Sequence, residues 1–225
     1  MNAPFVLFLH GFASTGARDW PSVDWADPLA RSGRKALVAD LPGHGSAPPI
    51  GSDEDGTLDR VLARLGSAAR AAPTAQIDVV GYSLGARLAW DFVAASPVPV
   101  RRLVLGGLSG QDPFAAVDVA ALRSGAAADP LTAAIAELIA ADGRPAESLI
   151  RLVAGLARSP FDPAANPPPV PTLVLAGNRD TMAADPSLLA GHLGDGVSGL
   201  VPGDHREALH STEFRDRVLD FLVSG

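Results

Sequence analysis

Short unbroken apolar runs rich in β-branched residues recur along the chain, over 5–9, 36–39, 77–80, 102–105, 172–176 and 199–201. Continuous runs, rather than strict alternation with polar residues, predict strands covered on both faces, as in a parallel sheet. Between them, 25–32, 57–71, 84–95 and 212–222 carry apolar residues at helical spacing. In the last of these Phe214, Val218, Leu219 and Leu222 form one face and Arg215, Asp216, Arg217 and Asp220 the other. Strands alternating with helices imply right-handed crossovers, hence an α/β fold: a mainly parallel sheet of about six strands with helices on both faces.

The alternation breaks between 109 and 168, where helical signals near 117–123, 131–141 and 146–158 follow one another without a convincing strand. Pro113, Pro130, Pro145, Pro160 and Pro163 sit at turn positions, and Pro167, Pro168, Pro169 and Pro171 close the stretch as a stiff extended linker. The expectation is one domain over 1–225 with a short helical cap inserted at about 109–168.

Composition narrows the functional classes. Of 225 residues 47% are hydrophobic and 19% charged, the balance of a folded chain rather than a disordered one. The formal net charge is −7, no run of Lys or Arg could track a phosphate backbone, and Lys35 is the single lysine, so nucleic acid is not an expected partner. Absence of cysteine removes disulfides, thiolate metal sites and cysteine nucleophiles. With no basic leader and no apolar run of membrane-spanning length, a soluble cytoplasmic protein acting on a small molecule, away from membranes, is expected.

Candidate chemistry gathers at strand ends. Val79-Val80-Gly81-Tyr82-Ser83-Leu84-Gly85-Ala86 runs from an apolar strand into a helix through Gly-x-Ser-x-Gly. A nucleophile on such a sharp turn needs small neighbours two residues either side, and the helix start sets the Leu84 N–H beside the Ser83 hydroxyl. Asp180 follows the fifth run within Gly177-Asn178-Arg179-Asp180, and His205 follows the sixth within Pro202-Gly203-Asp204-His205. Serine, then aspartate, then histidine is the chain order of one triad class. His210 is the rival base, but it stands at the approach to the last helix. After the first run, Phe8-Leu9-His10-Gly11-Phe12 turns into a loop whose Phe12 N–H could face a developing oxyanion. His10 and His44 read as loop-shaping residues and His192 as solvent-facing. No spacing suits zinc, and no dinucleotide or Walker-type glycine pattern is completed, so neither metal nor cofactor is expected.

With Asp40-Leu41-Pro42-Gly43-His44-Gly45-Ser46 after the second run, these motifs resemble the α/β-hydrolase family, in that family's order and over nearly the whole chain. The resemblance implies Ser83 as nucleophile, His205 as general base, Asp180 as its orienting acid, and Phe12 and Leu84 as oxyanion donors. The family also offers an alternative acid after the preceding strand, here near Ser109 or Asp112. His-Gly-Phe and Gly-Tyr-Ser-Leu-Gly-Ala-Arg look most like the short bacterial members that include a menaquinone-pathway lyase, in which Arg87 would correspond to a substrate-carboxylate contact. One departure is Asp204, a carboxylate directly before the imidazole. The expected activity is cleavage of a small carboxylic ester or thioester through an acyl-enzyme. The alternatives are elimination or carbon–carbon cleavage by the same triad, with Arg123, Arg151 and Arg158 as further arginine candidates, and a non-catalytic small-ligand binder.

Overall fold

The apolar runs pair side by side into one six-stranded, all-parallel sheet in a computed structural model that describes residues 5–224. The strands are β1 (Phe5–Leu9), β2 (Lys35–Val38), β3 (Ile77–Tyr82), β4 (Val100–Gly106), β5 (Thr172–Gly177) and β6 (Gly196–Val201), in the spatial order β2-β1-β3-β4-β5-β6. The chain moves outward from β1 to β2 and then returns to the other side of β1 for β3. That reversal makes the carboxyl ends of β1 and β3 a topological switch point, where open parallel sheets form a crevice.

Every residue of β3 and β5 is buried. The expected two-sided burial fails at the edges, where Val38 of β2 and Val197 and Leu200 of β6 are exposed, because an edge strand has a neighbour on one side only. β6 also starts at Gly196, earlier than its apolar residues indicate. Gly196, Ser198 and Gly199 carry no apolar signal and join the sheet through their pairing with Thr172, Val174 and Leu175.

Side-chain alternation along each strand feeds two cores. On one face Leu7, Leu9, Val79, Leu103 and Val174 pack with Val61 and Leu65 of α3 (Leu58–Arg70) and Leu88 of α4 (Leu84–Ala95). On the other, Val6, Phe8, Val80, Val104 and Leu175 meet Trp20, Trp25, Leu29 of α2 (Ala26–Arg31), and Phe214, Val218 and Leu222 of α9 (Thr212–Val223). Two short helices have no counterpart in the hydrophobic pattern: α1 (Gly16–Asp19), capped by the Thr15 side chain, and α8 (Pro186–Ala190), capped by Asp185. At the amino end of the sheet, fully buried Asp78 accepts from Arg34 Nη1 (2.8 Å), Arg101 Nε (2.9 Å) and Arg101 Nη2 (2.7 Å). Arg101 also donates to the Leu222 carbonyl of α9.

Between β4 and β5 the chain forms α5 (Val119–Ser124), α6 (Pro130–Asp142) and α7 (Ala146–Leu156). Asp118 and Asp129 cap the first two at their amino ends, and Gly125 and Gly143 end them in the left-handed conformation. This insertion lies against the loops that follow β1 and β2. Phe114 packs edge-on to Phe12 at 5.4 Å, and the Ser148 hydroxyl accepts from the Ile50 N–H at 2.9 Å. Gly155 of α7 meets Gly56 backbone to backbone, with no room for a Cβ on either. Among the described residues no helix is long and apolar enough to cross a membrane.

Candidate active site

Ser83 sits between the last residue of β3 and the first of α4 with φ +53° and ψ −116°, a conformation that costs a non-glycine residue about 1–3 kcal/mol. Its N–H donates to the Gly106 carbonyl at 2.8 Å, and its own carbonyl accepts from Ala86 and Arg87. A Cβ on Gly81 would stand 2.4 Å from the Gly85 carbonyl oxygen, and one on Gly85 would stand 2.1 Å from that of Leu9. The first glycine therefore serves the elbow itself, and the second lets α4 press against β1.

His205 Nε2 lies 3.0 Å from Ser83 Oγ and Nδ1 lies 2.7 Å from Asp180 Oδ2. A carboxylate only accepts, so in the neutral ring Nδ1–H donates to Asp180 and Nε2 accepts from the serine hydroxyl. Asp180 is buried, and its other oxygen accepts from the Met182 and Ala183 N–H groups at 2.9 and 3.1 Å. Burial pushes its carboxyl up, but the hydrogen bond and charge of His205 and those two amides outweigh it and hold the group below the usual carboxylate range. Asp204 turns away from the imidazole: its Oδ1 accepts from the Arg206 and Glu207 N–H groups, closing the turn that carries His205. The two loops are stitched together by Asn178 Oδ1, which accepts from the Gly203 N–H, and by the Arg179 N–H, which donates to the Gly203 carbonyl. Tyr82 adds a tie from the nucleophile strand, its buried hydroxyl donating to the His205 carbonyl at 2.7 Å. His210 is exposed and has no such partners, and His192 is exposed too.

The loop after β1 is held amide by amide. Gly11 N–H donates to Asp19 Oδ2 at 2.8 Å and Ala13 N–H to His44 Nε2 at 3.1 Å. Between them the Phe12 N–H has no acceptor among the described residues, and the same is true of the Leu84 N–H. His10 and His44 fix this loop as neutral rings: His10 Nε2 accepts from the Leu41 N–H while Nδ1 donates to the Gly11 carbonyl, and His44 Nδ1 donates to the Pro42 carbonyl. Burial and the neighbouring His10 push His44 down to about 3. Asp19 was not singled out by the sequence pattern. It sits at the end of α1, eight positions from the amide it holds, and no local motif marks it.

Arg87 departs from the role its position suggested. Its guanidinium is buried, with Nη2 2.8 Å from Asp112 Oδ2 and donating to the Ser159 carbonyl at 2.7 Å and the Leu156 carbonyl at 3.3 Å. Asp112 in turn accepts from the Phe114 and Phe161 N–H groups. The pair joins α4 to both ends of the insertion, and the Nε and Nη1 atoms of Arg87 are buried with no partner among the described residues. The same contacts occupy Asp112 away from His205. Arg123, Arg151 and Arg158 lie against Asp53, Glu147 and Glu54. Among the described residues no group of three His, Asp or Glu is placed to hold a metal ion.

Residues 4–136 match the model of the alpha/beta hydrolase fold family. Over 109 residues the chain is 33% identical to a pimeloyl-[acyl-carrier protein] methyl ester esterase of Aromatoleum aromaticum, covering 48% of this chain and 39% of that protein. Over 106 residues it is 36% identical to a 2-succinyl-6-hydroxy-2,4-cyclohexadiene-1-carboxylate synthase of Klebsiella pneumoniae, covering 46% and 38%. Both matches span less than half of the relative. In shape the chain is similar to MenH from S. aureus, with a TM-score of 0.75, 19% identity, and 97% and 93% of the two chains covered, a likeness of fold.

Proposed function

The chain belongs to the alpha/beta hydrolase fold family, and from that premise we propose that it is a serine hydrolase cleaving a small carboxylic ester or thioester through an acyl-enzyme. The observation that carries the reading is the continuous relay from Asp180 through His205 to Ser83, 2.7 and 3.0 Å long. His205 Nε2 takes the Ser83 proton as Oγ attacks the acyl carbon, and Asp180 holds the ring in the tautomer that leaves Nε2 free. The unpaired Phe12 and Leu84 amides donate to the developing oxyanion. The proton then passes to the leaving group, and a water molecule deprotonated by His205 releases the acid. The esterase of A. aromaticum supports this choice of reaction.

The synthase of K. pneumoniae favours a second reading, in which the same triad abstracts a proton and drives elimination. The ion pair of Arg87 with Asp112 weighs against it, since a neighbouring carboxylate already offsets the charge that a substrate carboxylate would meet. A screen of p-nitrophenyl esters and acyl-coenzyme A thioesters, with Ser83→Ala as the blank, tests the proposal. Turnover should fall by up to ~10⁶ in the variant. Ligand-induced stabilisation without turnover by the unaltered chain would replace it with a binding protein.

A further inference from the structure

Three consecutive amides follow β1, and the molecule treats them differently. Gly11 and Ala13 each give their N–H to a side chain from another segment, Asp19 and His44, while the Phe12 N–H between them has no acceptor among the described residues. The Gly11 peptide lies against the nucleophile: a Cβ built on Gly11 would stand 3.6 Å from Ser83 Cβ and 3.5 Å from Asp19 Oδ2. Asp19 therefore acts on the residue that separates Ser83 from the Phe12 amide.

A whole element serves to place this carboxylate. Asp19 is buried at the end of α1, whose start is fixed by the Thr15 cap and by the Gly16 N–H, which donates to Asp40 Oδ1 at 2.8 Å. Gly16 packs so closely on β2 that a Cβ would stand 2.6 Å from Val38 Cγ1. The residue after Asp19 is Trp20, buried against β1 with its ring centre 5.1 Å from that of Phe8. Held at both ends, α1 turns Asp19 back onto the loop, where Oδ2 accepts from the Gly11 N–H at 2.8 Å and Oδ1 accepts from the Ser14 hydroxyl. One side chain thus grips the loop on either side of Phe12.

We propose that Asp19 is a positioning residue of the oxyanion hole: it clamps the turn from Gly11 to Ser14 so that the Phe12 N–H is already aimed where the acyl oxygen becomes negative. The inference rests on the hydrolase reading and extends it to a residue that touches neither substrate nor triad. The charge of Asp19 is not what helps, because a fixed negative charge close to a growing one opposes it. Its contribution is geometric, a donor that needs no reorientation at the moment of reaction. Two neutral replacements therefore part company. In Asp19→Asn the side-chain oxygen still accepts from Gly11, and the NH₂ group can donate to the Ser14 hydroxyl, which accepts as well as donates. In Asp19→Ala both ends of the clamp are lost.

The test compares these variants in the full chain with p-nitrophenyl acetate. In Asp19→Ala, kcat should fall about 10- to 100-fold, short of the full loss of a donor, with KM within about twofold, because the amide is used in the transition state. Asp19→Asn should rescue kcat to within about threefold of the parent. Affinity for butylboronic acid should follow kcat across the series, since Ser83 Oγ adds to boron, its proton passes to His205, and an oxygen of the tetrahedral anion takes the oxyanion position. A parental kcat in Asp19→Ala, a loss confined to KM, or an Asp19→Asn variant as slow as Asp19→Ala overturns the proposal. Should Asp19→Ala not fold, the amide spectrum of Asp19→Asn decides: the Gly11 proton should move upfield as its acceptor changes from carboxylate to neutral amide, and an unmoved Gly11 resonance overturns the clamp. The serine hydrolase reading fails separately, by absence of Ser83-dependent turnover in the unaltered chain.

Discussion

At the scale of single residues, the relay assigns different work to two buried aspartates. Asp180→Asn keeps the shape but favours the wrong imidazole tautomer, so kcat should drop by as much as ~10⁴ with little loss of stability. Asp112→Asn removes the charge facing Arg87 and should appear chiefly as a lower denaturation midpoint; steady-state kinetics and urea titrations on both variants check the contrast. His44 sets a pH dependence of stability. Its unfolded ring binds a proton near pH 6.5 and its folded ring near 3, so between those values the unfolded state holds more protons. The contribution is complete above about pH 6.5 and is lost as pH falls toward 3, at up to about 1.4 kcal/mol per pH unit. The melting temperature of His44→Gln should therefore fall less steeply from pH 7 to 4.5 than that of the parent; parallel curves would count against this. Ser83, Asp180 and His205 were legible because each stands in a short pattern at a strand end. Asp19, the Tyr82 tie and the true partner of Arg87 were not, since each is a pairing between distant positions with no local signature.

At the scale of elements, the legible parts were those with long periodic runs or strong punctuation. The insertion helices declared themselves through their apolar spacing and through Pro130 and Pro145 at turn positions, and α4 through its apolar run behind the elbow. The short α1 and α8 depend on caps and on packing rather than on periodicity, and β6 depends on its neighbour. The close approach of α7 to the turn at Glu54–Gly56 was equally hidden, because a glycine in a helix reads as a weakness until its neighbour is seen. A Cβ on Gly155 would come within 2.1 Å of the Gly56 carbonyl carbon. Gly155→Ala should thus destabilise the protein by roughly 1–3 kcal/mol despite the better helix propensity of alanine. A lower urea midpoint with an unchanged slope is the expected signature.

At the scale of the whole molecule, the fold class was legible because strand-helix alternation admits few topologies, whereas the sheet edges were misjudged because burial depends on position in the sheet. The insertion carries two aromatic side chains, of which Phe114 packs on Phe12 and Phe161 on Trp90 in the core. Uncharged p-nitrophenyl esters should therefore give their highest kcat/KM at acyl chains of about two to six carbons, the length a modest pocket accommodates. A steady climb through long chains, measured below their micelle concentrations, would instead indicate an open lipid groove. The ion pair between Arg87 and Asp112 has a consequence in time as well as in space. It fastens both ends of the insertion to the helix behind Ser83, which restrains any movement of the insertion as a body. On the proposed acyl-enzyme route, the expectation is that acyl transfer rather than opening of the insertion limits kcat. Raising solvent viscosity with sucrose should leave kcat unchanged, and loosening those ends with Asp112→Asn should make the rate begin to follow the thickness of the medium.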